Sequence, residues 1–178
     1  MATVYTLGHS TRNLADFSRV LQAHQVRLLE DIRAFPVSRR YPHFNRENLE
    51  MWLPEIGSEY VWEKDLGGRR TRQMPLDKSP HVALRNPSFR NYADYMLSEK
   101  FHEAIERLVE RCEKTDTAIM CAEYVYFRCH RMLVSDYLLC QGHTVYHILN
   151  EESPTLHKLS KDARIVDGRL VYRGNYLL

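Results

Sequence analysis

The densest chemistry in the chain lies in CAEYVYFRCHR, Cys121 to Arg131, where two thiols, a carboxylate, an imidazole and two guanidinium groups follow the apolar run TAIM. A cysteine at a strand end, ahead of a helix and near Arg128, His130 or Arg131, can be held as a thiolate, so Cys121 reads as a nucleophile. The same position also suits a small buried apolar-like thiol. Glu123 and Asp31 read as general acid or base groups, or equally as ion-pair partners for neighbouring arginines. His9, between a glycine and a helix, reads as a ligand contact or proton-transfer group, or as a hydrogen-bonded loop histidine. Ser10 and Thr11 stand at the start of that helix, where one hydroxyl is expected to cap it and both can reach a ligand.

Several familiar motifs are excluded by spacing. The cysteine-based phosphatase loop places its arginine one position nearer to the cysteine than Arg128 stands to Cys121. Cys121, Cys129 and His130 lack the closer cysteine pairs and the fourth partner of ordinary zinc sites, so no metal and no cofactor are expected. A Cys121–Cys129 redox pair is a further alternative, although its gap is unlike the two-residue spacing of thioredoxin-type motifs.

The elements that position these residues alternate. VYTLG at 4–8 reads as a strand, followed by an amphipathic helix over 13–24 with Asn13 as its cap, and VRLLEDI at 26–32 as a second strand. Asn45 is expected to cap NRENLEMWLPEI, with Pro54 kinking or ending its last turn. EYVWEKDL reads as strand three, and 67–91 as a long loop of the kind that often carries function. Helices follow at 89–97 and 99–114, the second with Cys112 in its buried stripe. TAIMCAE reads as strand four, RMLVSDYLLC as a helix ended by Gly142, HTVYHIL as strand five, and RIVDGRLVY as a hairpin turned at Asp-Gly. The fold expected is α/β: a mainly parallel sheet with helices on both faces and a C-terminal β-hairpin, as one domain over 1–178 with the hairpin extension at about 155–178.

In such a sheet ligands collect at the carboxyl ends of the strands. The loops there contain eight arginines, among them Arg33, Arg39, Arg69, Arg128 and Arg131. Planar donor forks suit phosphate or carboxylate, so these arginines with Ser10, Thr11 and His130 read as a ligand-binding set for an anionic small molecule or nucleic acid. Tyr41, His43 and Phe44 interleave with arginine in a way that suits stacking on bases. The formal net charge of +2 is too small to identify such a partner by itself. All four cysteines fall between 112 and 140, unlike the staples of a secreted disulfide scaffold. No apolar run reaches the roughly 20 residues of a membrane span and the N-terminus lacks the order of a secretion signal, so no membrane partner and a cytoplasmic location are expected.

The segments GHSTRNLADF, DIRAFPVSRRYPHFN, DLGGRR, FRNYADYM and MCAE followed by RCHR, in this order, resemble the family catalogued as domain of unknown function 488. The resemblance runs from about residue 4 to 150, and the tail HKLSKDARIVDGRLVY also resembles the family's usual ending. It implies a compact bacterial and archaeal α/β domain and carries no assigned reaction. The chain departs from the family pattern just before RCHR, where Val125, Tyr126 and Phe127 replace the usual proline and tryptophan. Three functions remain open from the residues: an enzyme acting on a phosphate-bearing ligand, a noncatalytic nucleic-acid binding module, and a thiol redox or metal-binding protein.

Overall fold

A computed structural model describes residues 1–174. Five parallel strands, β1 (Thr3–Gly8), β2 (Leu28–Asp31), β3 (Glu59–Trp62), β4 (Thr117–Cys121) and β5 (Thr144–Ile148), form a sheet ordered β3-β2-β4-β1-β5. A two-residue strand, β6 (Thr155–Leu156), adds antiparallel to the β5 edge. Side chains alternate between two cores, as the pleat of a doubly covered sheet requires. Val4, Ile119 and Val145 face one core, and Leu7, Ala118, Met120 and Ile148 face the other.

The first core is closed by α3 (Pro87–Tyr95), α4 (Glu99–Lys114), α5 (Arg131–Cys140) and the hairpin β7–β8 (Ala163–Val166, Arg169–Tyr172); the second by α1 (Leu14–Ala23) and α2 (Arg46–Trp52). Each fully buried leucine or phenylalanine in these layers contributes roughly 1.5–3 kcal/mol. The chain leaves β1 toward one face and β4 toward the other, and these strands are adjacent. That arrangement opens a crevice beyond their carboxyl ends.

Local chemistry explains where the elements stop. Asn13 caps α1, its Oδ1 accepting from Asp16 N at 2.8 Å, so neither Ser10 nor Thr11 serves as the cap that their position suggested. Asn45 precedes α2 without capping it; its Oδ1 accepts instead from Ser38 N at 2.6 Å and closes the preceding loop. Pro54 turns the end of α2 into a 3₁₀ segment over Leu53–Ile56, as its ring predicts. Strand three ends at Trp62 rather than Leu66. Glu63 N donates the last bond of that edge to Asp31 O, and the Glu63 carboxylate then accepts from Arg107 at 2.9 Å, leaving Lys64–Leu66 as a 3₁₀ turn. Helix α3 begins earlier than its apolar pattern suggested, because Asn86 accepts from Ser88 N at 2.9 Å and Pro87 supplies a preset first turn.

Asp167 and Gly168 both hold positive φ, 50° and 74°, as a two-residue primed turn demands, and the hairpin forms as expected. The last four positions of the extension at 155–178 lie outside the described residues. A buried polar chain ties the hairpin to the sheet: Thr6 Oγ1 to His147 Nδ1 at 2.7 Å, His147 Nε2 to His157 Nδ1 at 2.9 Å, His157 Nε2 to Asp136 Oδ1 at 2.9 Å, and Tyr172 OH donating to Asp136 Oδ2 at 2.9 Å. Among the described residues no helix is long and apolar enough to cross a membrane.

Candidate functional site

The crevice at the ends of β1 and β4 is a cleft of about 820 Å³. Of the residues singled out from the sequence, it brings together His9, Ser10, Thr11, Arg33, Arg69, Cys121, Glu123, Arg128 and His130. Pairing of the two strands continues past their ends and sets this proximity. Gly8 is opposite Cys121, His9 N donates to Cys121 O at 2.9 Å, and Ser10 N donates to Ala122 O at 3.0 Å. Gly8 is required at this approach, since a Cβ there would stand 1.8 Å from the Glu123 carbonyl oxygen. Ser10 turns the chain with φ 54°, a left-handed conformation that costs a non-glycine residue free energy.

Asp31 and Arg33 form a buried unit under one wall. Asp31 Oδ1 accepts from Arg33 N at 3.0 Å and Nε at 2.9 Å, and Oδ2 accepts from Arg33 Nη2 at 2.5 Å and from Tyr60 OH at 2.7 Å. Burial works against the Arg33 charge, but the bonds to Asp31 outweigh it and raise its pKa. Asp31 is therefore placed as the ion-pair partner of Arg33, away from the cleft lining. Arg33 Nη1 reaches toward His9 Nε2 at 3.4 Å, while His9 Nδ1 bonds Ser10 O at 2.9 Å and the ring stacks on Phe44 at 4.2 Å. Burial pushes the His9 pKa down to about 4, so the ring is neutral near pH 7. Its Nδ1–H donates to the carbonyl and its Nε2 accepts from Arg33.

The eight loop arginines divide by role. Arg33, Arg40, Arg69 and Arg128 line the cleft, and the last three are exposed at its rim. Arg12 donates to the carbonyls of Gly8 and Leu149, and the fully buried Arg131 donates to Glu123 O and to Tyr124 O at 3.2 Å, so both fasten loop backbone. Arg70 donates to Gly67 O at 2.9 Å and Lys64 O at 3.0 Å and lies 3.7 Å over the Tyr95 ring. Arg39 is exposed beyond the lining. Sequence reasoning singled out Arg39 and not Arg40 as a ligand contact; it marked Tyr41 for base stacking, and passed over Phe35, Phe89 and Tyr124 in the walls. The signal available was the short apolar run Phe35 to Val37 inside a polar loop; Phe35 and Val37 are each 66% exposed.

The floor is made of sulfur and nitrogen. His130 Nε2 lies 3.0 Å from Ile32 O, while its Nδ1 stands 3.4 Å from Cys129 Sγ and 4.0 Å from Cys121 Sγ. A carbonyl can only accept, so Nε2 carries the hydrogen and the Nδ1 lone pair faces the two sulfurs. Cys129 Sγ also accepts from Arg131 N at 3.5 Å. A hydrogen bond from Cys121 holds Cys129 well below the usual thiol range, against its burial, and the same bond raises Cys121 well above it. Gly68 makes room for the ring, because a Cβ there would meet His130 Nδ1 at 2.4 Å. Val125 is extended and leads into a 3₁₀ turn over Tyr126–Arg128, in which Tyr126 stacks on His147 at 3.4 Å and anchors the loop to the buried polar chain. Glu123 is exposed on that loop, with no ion-pair partner among the described residues.

The family described as Domain of unknown function DUF488 matches residues 13–138, more than half of the chain. The chain belongs to that family. No curated protein and no solved structure matches it. The DUF488 match covers β2, β3 and β4 with the loops that follow them and ends within α5, so the cysteine–histidine floor lies inside it, whereas His9 to Arg12 precede it.

Proposed function

We propose that this DUF488 protein is an enzyme acting on a phosphate-bearing ligand, a nucleotide or nucleic acid, held in the cleft above Cys121, Cys129 and His130. One observation supports this above all: Arg40, Arg69 and Arg128 rise from three different loops around one concavity, and no ion-pair partner holds them among the described residues. Arginines so placed offer bidentate donors to phosphate, and Arg33 adds a charge fixed by Asp31. Phe35, Tyr41, Phe89 and Tyr124 supply flat apolar surface beside them, as stacking on a base requires. Cys121 and Glu123 are the groups nearest the chemistry. A noncatalytic nucleic-acid binding module is the second reading, favoured by the exposure of Phe35 and Tyr124 in the cleft walls.

A thermal-shift screen over nucleotides, phosphosugars and short oligonucleotides tests the reading. A ligand at 100 times its Kd stabilises by about 2.7 kcal/mol. For a chain of this length that is a rise in Tm of about 5–11 °C. The rise is expected to vanish in Arg69→Ala/Arg128→Ala. No stabilisation by any phosphate-bearing compound at millimolar concentration would contradict the proposal. Once a turnover assay exists, Cys121→Ser and Glu123→Gln are expected to abolish it without unfolding the chain. Full salt-dependent binding with no product would favour the binding module.

A further inference from the structure

We propose that Cys121, Cys129 and His130 form a three-ligand site for Zn²⁺, or a divalent cation of similar softness, whose fourth coordination position opens into the cleft. The inference goes beyond the anionic-ligand reading and does not depend on it, since the site is defined by donor atoms alone.

The spacing of these residues along the chain is unlike that of ordinary zinc motifs, but the fold removes the difference. The 3₁₀ turn at Tyr126–Arg128 doubles the loop back, and the two sulfurs and Nδ1 come within 4.8 Å of one another. Zinc binds sulfur at about 2.3 Å and imidazole nitrogen at about 2.0–2.1 Å with tetrahedral angles, so a bound sulfur and nitrogen stand about 3.6 Å apart. The two sulfur–nitrogen distances here, 3.4 and 4.0 Å, bracket that value. For these two distances a cation needs side-chain movements of only a few tenths of an ångström, and the two sulfurs lie within 4.8 Å of each other.

Orientation is supplied as well. Metal-bound histidine ordinarily donates its second ring nitrogen to a carbonyl or carboxylate, which fixes the tautomer and turns the free lone pair to the metal. Ile32 O occupies that position, 3.0 Å from His130 Nε2. The Arg131 backbone N–H, 3.5 Å from Cys129 Sγ, is placed to stabilise negative charge on sulfur. Two thiolates and a neutral imidazole balance a divalent cation and select a borderline-soft one over magnesium or calcium. All three residues line the cleft, as Glu123 does, so the fourth position opens into it. Three protein ligands with an open fourth position are the pattern of a catalytic site rather than a closed structural one. Cys112 and Cys140 take no part; Cys112 packs against the first core from α4, where burial raises its thiol to about 12.

The test uses the full chain, reduced and stripped with a chelator, then titrated with Co²⁺ as a spectroscopic probe and with Zn²⁺ by competition. One equivalent of Co²⁺ with sulfur-to-cobalt charge transfer is expected. Affinity is expected to fall more than about 100-fold in Cys129→Ser and in His130→Ala, since loss of a ligand exceeds the 10- to 100-fold cost of an outer partner. Cys112→Ser is expected to bind as the wild type does. Should a variant fail to fold, alkylation of the wild type decides: Zn²⁺ is expected to shield Cys121 and Cys129 and leave Cys140 as reactive as before. No charge-transfer band at stoichiometric Co²⁺, a band that survives in Cys129→Ser, or unshielded thiols would overturn the proposal. Because the readouts contain no anionic ligand, failure here and failure of the cleft as an anion site are separable.

Discussion

Replacing Asp31 by Asn isolates the force that holds Arg33 under the cleft wall. Asp31 is fully buried and Arg33 is 5% exposed, so the pair is screened little by solvent. The carboxylate accepts from Arg33 N, Nε and Nη2 and from Tyr60 OH. Asparagine turns one acceptor into a donor facing donors and leaves the guanidinium charge without a counter-ion. Breaking a buried ion pair from one side costs about 3–5 kcal/mol. At about 2–4 °C per kcal/mol, Tm is expected to fall by about 6–20 °C. Tyr60→Phe removes one hydrogen bond to a charged group and is expected to cost less, about 1.5–3 kcal/mol. The double variant Asp31→Leu/Arg33→Met removes both charges and is expected to recover most of the loss, because it leaves no orphaned charge. Urea unfolding of the four proteins measures this directly. The reasoning is refuted if Asp31→Asn unfolds with the wild type, or if the double variant is no more stable than Asp31→Asn.

Three further outcomes follow from the geometry. Gly8→Ala is expected to lower stability by about 3 kcal/mol, the upper end for overpacking, because backbone rather than a movable side chain meets the new Cβ; calorimetry reads it, and an unchanged Tm would contradict the close approach of Glu123. Burial lowers His9 and His81 to about 4 and His147 to about 3, so each stabilises above its unfolded value near 6.5 and loses that contribution as pH falls. Burial also raises Glu30 to about 7, which acts in the opposite sense: its contribution is present below about 4.5 and fades as pH rises to 7. Stability measured by urea midpoint is therefore expected to fall on acidification from pH 7 to 5, and to fall more steeply in Glu30→Gln; a rise over that window would contradict both assignments.

The architecture was legible because hydrophobic period and turn chemistry are local. TAIM and VYTLG alternate between two cores, the stripe of α4 repeats at helical spacing, and Asp-Gly dictates its turn. What escaped depends on partners distant in sequence. Arg131 and Arg12 carry the same charge as Arg128, yet they fasten carbonyls because α5 and the β1 loop enclose them. Nothing in EYVWEKDL shows that Arg107 and Arg111 will draw Glu63 out of strand continuation. The gathering of Cys121, Cys129 and His130 was masked for the same reason, since the turn at Tyr126 depends on a stack with His147.

The central claim is that one cleft, at the carboxyl ends of β1 and β4, receives the anionic ligand. Amide and arginine side-chain NMR spectra recorded during titration with a nucleoside monophosphate test it most directly. The account predicts saturable shifts confined to Ser10, Thr11, Ala122, Glu123 and the side chains of Arg33, Arg40, Arg69 and Arg128. Saturable shifts clustered elsewhere on the sheet, or none at millimolar ligand, would contradict it.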